Sequence, residues 1–101
     1  MIKMEKTYGC LRAPVLHMGK QIGTLHAVYL TQWFVGNKYR FTGTFNKFVP
    51  CVESIDILEP GDVVDVLLPD KKVLVKNAFI EWIRKEPGSG TFNAEKIVDS
   101  P

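Results

Sequence analysis

The sequence has no apolar run long enough to cross a membrane, and it has few cysteines. A membrane-spanning helix needs about 20 apolar residues, and no run approaches that length. The first residues are charged and lack the apolar segment of a secretory signal. We therefore expect a cytoplasmic protein without a membrane partner. Cys10 and Cys51 are its two cysteines, and in a reducing compartment we expect separate thiols rather than a disulfide.

Signatures of catalysis and of metal binding are also missing. A nucleophilic cysteine needs a base held close to it, but no family signature joins Cys10 to His17 or His26, the two histidines. Structural zinc sites use closely spaced ligand pairs, whereas the cysteines and histidines here are widely spaced. No glycine-rich phosphate loop is present. We expect no enzyme activity, no catalytic residues, no metal and no cofactor.

The composition is that of a globular protein. Apolar residues make up 46% and charged residues 24% of the 101 residues, which excludes a mainly disordered chain. We detect no linker, low-complexity tract or internal repeat. The length suits one hydrophobic core, so we expect a single β-rich domain over residues 1–101.

Short β-type runs alternate with turn signals along most of the chain. The runs lie at 6–18, 24–35, 38–45, 52–58, 63–68 and 92–98. In the run 24–35 the odd positions, from Leu25 and Ala27 to Trp33, form one apolar face, and Val28 and Leu30 partly cover the other. This pattern is typical of a central strand. Tight turns such as Gly36-Asn37 join neighbouring runs as in hairpins.

The segment 73–86 fits two structures. As a strand it needs a bulge at Lys76-Asn77, after which Ala78, Ile80 and Trp82 continue the core face. As a helix near 77–86 it is capped by Asn77. Its β-branched and aromatic content favours the strand. We therefore predict an all-β fold, a small antiparallel barrel or rolled sheet of six to seven strands, with α+β as the alternative.

The stretch LEPGDVVDVLLPDKKVLVKNAFIEWI, residues 58–83, resembles the central part of PilZ-type barrels. There a turn-bounded strand leads to a long strand that ends near a tryptophan. The resemblance covers about a quarter of the chain and implies a barrel. The cyclic-dinucleotide signature of that family needs two arginines a few residues apart and a later Asp/Asn-x-Ser-x-x-Gly run. Arg12 has no such neighbour and the run is absent, so the resemblance does not imply that ligand.

Charge is divided unevenly along the chain. Residues 1–50 hold seven basic residues and one acid, or +6, while residues 51–101 hold six basic and ten acidic residues, or −4. Such a division indicates a polyanionic partner, a charged self-interface, or two halves that attract each other within one barrel.

The segment 36–50 combines basic and aromatic residues and has no acid. Basic groups neutralise phosphates and aromatic faces stack bases, so we predict a nucleic-acid-binding hairpin. Its candidate contacts are Lys38, Tyr39, Arg40, Phe41, Lys47 and Phe48. The same alternation is typical of a half-buried strand with its aromatics in the core. Burial of Phe41 and Phe45 would remove the stacking part of this prediction.

Two other functions fit a small non-catalytic barrel. The first is association with a protein or with a second copy, as a homodimer, through an open sheet edge or exposed aromatics. The second is a small-ligand pocket lined by Tyr29, Trp33 and Trp82.

Overall fold

A computed structural model describes residues 2–51, 58–84 and 88–100. These ranges contain eight strands and one 3₁₀ turn. The strands are β1 (Ile2–His17), β2 (Lys20–Val35), β3 (Lys38–Phe45), β4 (Lys47–Pro50), β5 (Val63–Leu68), β6 (Val73–Ile83), β7 (Gly90–Ala94) and β8 (Lys96–Asp99), and the turn is Pro69–Lys71.

Six of the strands close into an antiparallel barrel. Their order is β1-β5-β6-β7-β3-β2, and pairing of β1 with β2 completes the ring. β4 adds to β2 and β8 adds to β6. The all-β prediction is therefore confirmed, with two short strands beyond the six of the barrel. The helical alternative near 77–86 is wrong, since β6 runs unbroken to Ile83; residues 85 and 86 lie outside the described part.

The two-residue turns determine the hairpins. Gly36 and Asn37 have φ of 54° and 67°, and Met18 and Gly19 have φ of 53° and 81°. Paired positive φ values suit the type I′ turn, whose twist matches that of the flanking strands. The segment 36–50 is not itself a hairpin, because β3 and β4 both pair with β2. Most of the predicted run 52–58 lies outside the described residues.

Inward side chains from all six barrel strands fill the core. Leu30, Phe45, Ile80 and Phe92 are among its largest fully buried members, together with Leu58 from the connection before β5. Alternation along each strand turns the intervening side chains outward. The barrel therefore has a closed apolar interior, and any binding surface lies on its outside.

Two bulges in β6 shift which side chains face the core. At the first, Lys76 and Asn77 lie opposite Asp65 and Asn77 has φ of 53°, so the predicted bulge is confirmed. The second lies between Ile80 and Trp82. It turns Trp82 outward with 46% of its surface exposed, so the prediction of a core tryptophan there is wrong.

β2 contains a bend that the alternation pattern did not predict. Ala27 has φ of 54°, and the buried side chains on its two sides are Leu25 and Val28 rather than alternate residues. Leu30 continues the core face, and Tyr29 points outward with 53% exposed. The prediction that the odd positions form one continuous face is therefore wrong beyond Ala27.

The barrel consists of two similarly connected halves, β1–β4 and β5–β8. In each half the second strand pairs with the first, third and fourth, and the β1–β5 and β3–β7 pairs join the halves. Both halves carry the tetrapeptide Gly-Thr-Phe-Asn, at 43–46 and 90–93. The chain therefore contains a short internal repeat, contrary to our reading of the sequence.

Candidate nucleic-acid interface

The charge asymmetry of the sequence becomes an asymmetry between the two halves of the barrel. No acid occurs between Glu5 and Glu53, and this stretch supplies most of β1 and all of β2, β3 and β4. These strands are neighbours in the sheet. Outward side chains on this half therefore form a surface in which basic groups outnumber acidic ones.

The pairing of β2 with its neighbouring strands shows which side chains of this half face outward. Residues directly opposite each other in antiparallel strands lie on the same face. Buried Leu30 pairs with Tyr8 and with Gly43, so the alternate residues of β2 face outward. We call the outward side chains of β1–β4 the β2 surface. Its polar and aromatic members used below are Arg12, His26, Tyr29, Trp33, Arg40 and Lys47.

Trp33 is fixed against the neighbouring strand. Its Nε1–H donates to Thr42 Oγ1 over 2.8 Å. Thr42 lies opposite Thr31 in β3, two residues from the register partner of Trp33 and on the same face, so the indole crosses from β2 onto β3. Arg40 is the direct cross-strand partner of Trp33 on the same face. A positioned aromatic ring and a guanidinium thus lie side by side on the β2 surface.

Tyr29 has open space on one side. Its cross-strand partners are Gly9 in β1 and Thr44 in β3. A Cβ placed on Gly9 would meet nothing within 4 Å, so no neighbouring side chain covers this position. Tyr29 therefore borders open space over Gly9 on the β1 side.

The guanidinium of Arg40 is only loosely engaged. Its nearest carboxylate is that of Glu95 at 4.0 Å, and the two side chains are 56% and 81% exposed. Solvent-exposed pairs of this kind contribute little. Lys38, at the start of β3, is also exposed. Both cations of β3 are therefore available to an anionic partner.

A second group of basic residues lies farther along β2. Arg12 pairs with His26, and His26 pairs with Lys47, so the three form one row across β1, β2 and β4. Arg12 and Lys47 are exposed, and His26 is half-buried. In the part of the chain that the structure describes, neither Arg12 nor Lys47 makes an ion pair.

Several residues predicted to stack with bases face elsewhere. Phe41 and Phe45 are 4% and 2% exposed, and Phe48 packs against the core. Tyr39 is 51% exposed but lies on the opposite face of β3, where its ring is 5.3 Å from that of Phe34. The stacking part of the 36–50 prediction is therefore lost, because alternation places these rings inward or on the other face.

The three predicted pocket residues do not come together around a cavity. Tyr29, Trp33 and Trp82 all point outward, and Trp82 lies three strands from Tyr29 along one cross-strand row. Two open clefts of about 330 Å³ lie elsewhere, one beside His17 and one beside Lys3. Tyr29, which is exposed, and Trp33, which is half-buried, instead supply the aromatic rings of the β2 surface. Their outward position depends on the bend at Ala27, for which the sequence carries no signal.

The cysteines and histidines do not assemble into a reactive centre. Cys10 and Cys51 are both free. Burial raises the pKa of the Cys10 thiol, whose Sγ–H donates to the carbonyl oxygen of Arg12 over 3.1 Å. His17 Nδ1 lies 3.4 Å from the carbonyl oxygen of Val63. Within residues 2–51, 58–84 and 88–100, no group of three metal-ligating side chains could hold an ion.

No protein-family model, curated protein or solved structure matches the chain significantly. In the described ranges, no helix has the length and hydrophobicity that a membrane span requires. The geometry of the β2 surface is therefore the basis for assigning a function.

Proposed function

We propose that this protein is a non-catalytic module that binds single-stranded nucleic acid through the β2 surface. The observation that carries the proposal is the Trp33 indole, held by Thr42 beside the guanidinium of Arg40. Aromatic rings stack bases and cations neutralise phosphates. A strand laid along β2 would meet both kinds of group at this position.

A single strand fits this surface better than a duplex. The bases of a duplex are stacked on one another, so an exposed ring on a sheet finds no base face to contact. Unpaired bases offer their faces freely, and stacking of this kind tolerates any sequence. Tyr29, with open space above Gly9, provides a second ring for a neighbouring base.

The test is fluorescence anisotropy of labelled oligothymidine and oligouridine, titrated at low and at higher salt. Trp33→Ala should weaken binding by about fivefold to a hundredfold, the range found when one stacking ring is removed. Arg40→Gln should weaken binding. It should also reduce the steepness of the plot of log K against the logarithm of the salt concentration by about 0.7. Quenching of Trp33 fluorescence should accompany binding.

The matched control is Trp82→Ala, which removes an exposed tryptophan from the half of the barrel that holds most of the acids. It should leave the affinity unchanged. Trp33→Phe should retain most of the binding, because it keeps a ring and loses only the bond to Thr42. Absence of binding at low salt, or equal losses in Trp33→Ala and Trp82→Ala, would show the proposal to be wrong.

Self-association is the second candidate and has a different observation in its favour. Val63, Phe79 and Trp82 are each 44–46% exposed on the outside of β5 and β6, and Val63 pairs directly with Phe79. Neighbouring exposed apolar side chains are typical of contact surfaces. Light scattering decides this candidate: a dimer that Trp82→Ala converts to a monomer supports it, and a strict monomer at high concentration rejects it.

A further inference from the structure

The two halves of the barrel allow an internal comparison of one position. In β2 the bend at Ala27 follows His26, the residue that pairs with Lys47 at the start of β4. In β6 the bulge at Asn77 follows Lys76, which pairs with Lys96 at the start of β8. Ala27 and Asn77 have φ of 54° and 53°. The two rows of side chains are therefore equivalent in the fold.

In the second half a carboxylate completes this row. Asp65 lies opposite the Lys76-Asn77 bulge in the ladder between β5 and β6. Its Oδ1 accepts from the backbone N–H of Asn77 over 3.0 Å. Its Oδ2 accepts from Nζ of Lys76 over 3.2 Å. The protein thus places an anion where the bulge and a basic side chain converge.

In the first half two residues of β1, Leu11 and Arg12, take the place of Asp65, because the β1–β2 ladder keeps its register across Ala27. Arg12 lies opposite His26, as Asp65 lies opposite the bulge that contains Lys76. The row Arg12–His26–Lys47 therefore contains basic side chains alone. Arg12 and Lys47 lie on the two strands that flank His26, roughly 10 Å apart across the sheet, and neither makes an ion pair within the described residues. An anion bound over His26 would therefore face both cations.

We propose that the row Arg12–His26–Lys47 binds a phosphate group, which takes the place that the Asp65 carboxylate has in the second half. The inference rests on the proposed function, since the phosphate would belong to the same bound strand. The seven-residue step from His26 to Trp33 covers about 23 Å along β2. A stacked strand advances about 3.4 Å per nucleotide, so about seven nucleotides would reach both contacts.

Oligothymidines of about 3, 6, 9 and 12 nucleotides test this inference. The shortest should bind at Trp33 alone, and those that span both contacts should bind more tightly. Two further phosphate contacts should steepen the salt dependence by about 1.4 in log K per log salt. Arg12→Gln and Lys47→Gln should each remove part of this increase, and each should weaken binding of the longer oligomers more than binding of the shortest. Lys96→Gln, at the equivalent position of β8, is the control.

A titration with inorganic phosphate, followed by NMR, tests the row independently of any strand. Saturable shifts of the His26 ring are expected in the wild type. Arg12→Asp should abolish them and should unfold at or above the wild-type temperature, because it reproduces the arrangement of Asp65. Absence of such shifts, or oligomer affinity that shows no dependence on Arg12, overturns this inference. Phosphate binding without binding of any oligomer overturns the proposed function and leaves a phosphate site.

Discussion

Phe45 and Phe92 stack on each other, and each ring lies against the glycine of the other's strand. Their ring centroids are 6.4 Å apart and their planes are inclined by 25°. Phe92 pairs with Gly43 and Phe45 pairs with Gly90. A Cβ on Gly43 would overlap the Phe92 ring, and a Cβ on Gly90 would lie 2.7 Å from the Phe45 ring. This reciprocal contact joins the two halves of the barrel through their shared tetrapeptide.

Gly43→Ala should destabilise the protein by about 1–3 kcal/mol, the usual cost of overpacking a core. The added methyl group cannot avoid the Phe92 ring, which is fully buried. Urea unfolding followed by tryptophan fluorescence measures the change in the free energy of unfolding.

Gly9→Ala is the control for this substitution. Gly9 also lies in a strand, but its added Cβ meets nothing within 4 Å. We expect a change within about 0.5 kcal/mol. An equal decrease in the free energy of unfolding in the two variants would contradict this prediction. It would mean that overlap with the Phe92 ring does not destabilise Gly43→Ala.

The sequence was sufficient to predict the barrel because alternation and turn chemistry agree over most of its length. The polar pair Lys76-Asn77 interrupts an apolar run, so the first bulge of β6 could be predicted. The bend at Ala27 could not, because alanine gives no sign of a left-handed backbone. The missed repeat is only four residues long and has no fixed period around it.

The sequence predicted basic residues of the candidate site but not its aromatic residues. The candidate contacts Arg40 and Lys47 are exposed on the β2 surface, because lysine and arginine remain exposed in almost any register. Aromatic residues are found both in cores and at binding surfaces, so composition alone did not separate Phe41 from Trp33. The bend at Ala27 brings Tyr29 to the outer face, and no pattern in the sequence indicates this bend.

Ala27→Gly should stabilise the protein by about 1 kcal/mol. Ala27 has φ of 54°, in the left-handed region. That conformation costs a residue with a Cβ about 1 kcal/mol of conformational energy, whereas glycine adopts it without this cost. In a domain of this size, 1 kcal/mol corresponds to a rise in Tm of about 4–8 °C. Calorimetry of the two proteins measures it.

Asn77→Gly provides the comparison for Ala27→Gly. Asn77 has φ of 53°, but asparagine tolerates this region, so a smaller gain is expected. A loss of stability in Ala27→Gly would indicate that the greater freedom of glycine in the unfolded chain outweighs the relief of strain.

Asp65→Ala should destabilise the barrel by about 1–3 kcal/mol, because it leaves two donors without their acceptor. These donors are the N–H of Asn77 and the ammonium of Lys76. Asp65→Asn should cost less, since its amide oxygen still accepts from Asn77. Lys76→Gln should cost least, since the Lys76 side chain is 40% exposed. Chemical denaturation of the three variants gives the order, and a larger cost for Lys76→Gln than for Asp65→Ala would contradict the assignment.

The buried thiol of Cys10 should make stability fall at alkaline pH. Burial raises its pKa in the folded state, whereas in the unfolded chain a thiol ionises near pH 8.5. The folded protein therefore holds the proton more tightly above that pH. The contribution of the Cys10 thiol to the free energy of unfolding is fully present below about pH 8.5. It is lost as the pH rises through the folded-state pKa.

The difference between wild type and Cys10→Ala isolates this contribution from that of other groups. Cys10→Ala should lower stability at pH 7 because it removes a packed side chain, and this difference should shrink as the pH rises above about 8.5. Alkylation provides a second readout: iodoacetamide should modify Cys51, which is half-buried, before it modifies Cys10. A constant difference across the alkaline range, together with rapid alkylation of Cys10, would contradict the assignment, because a buried, protonated thiol can show neither.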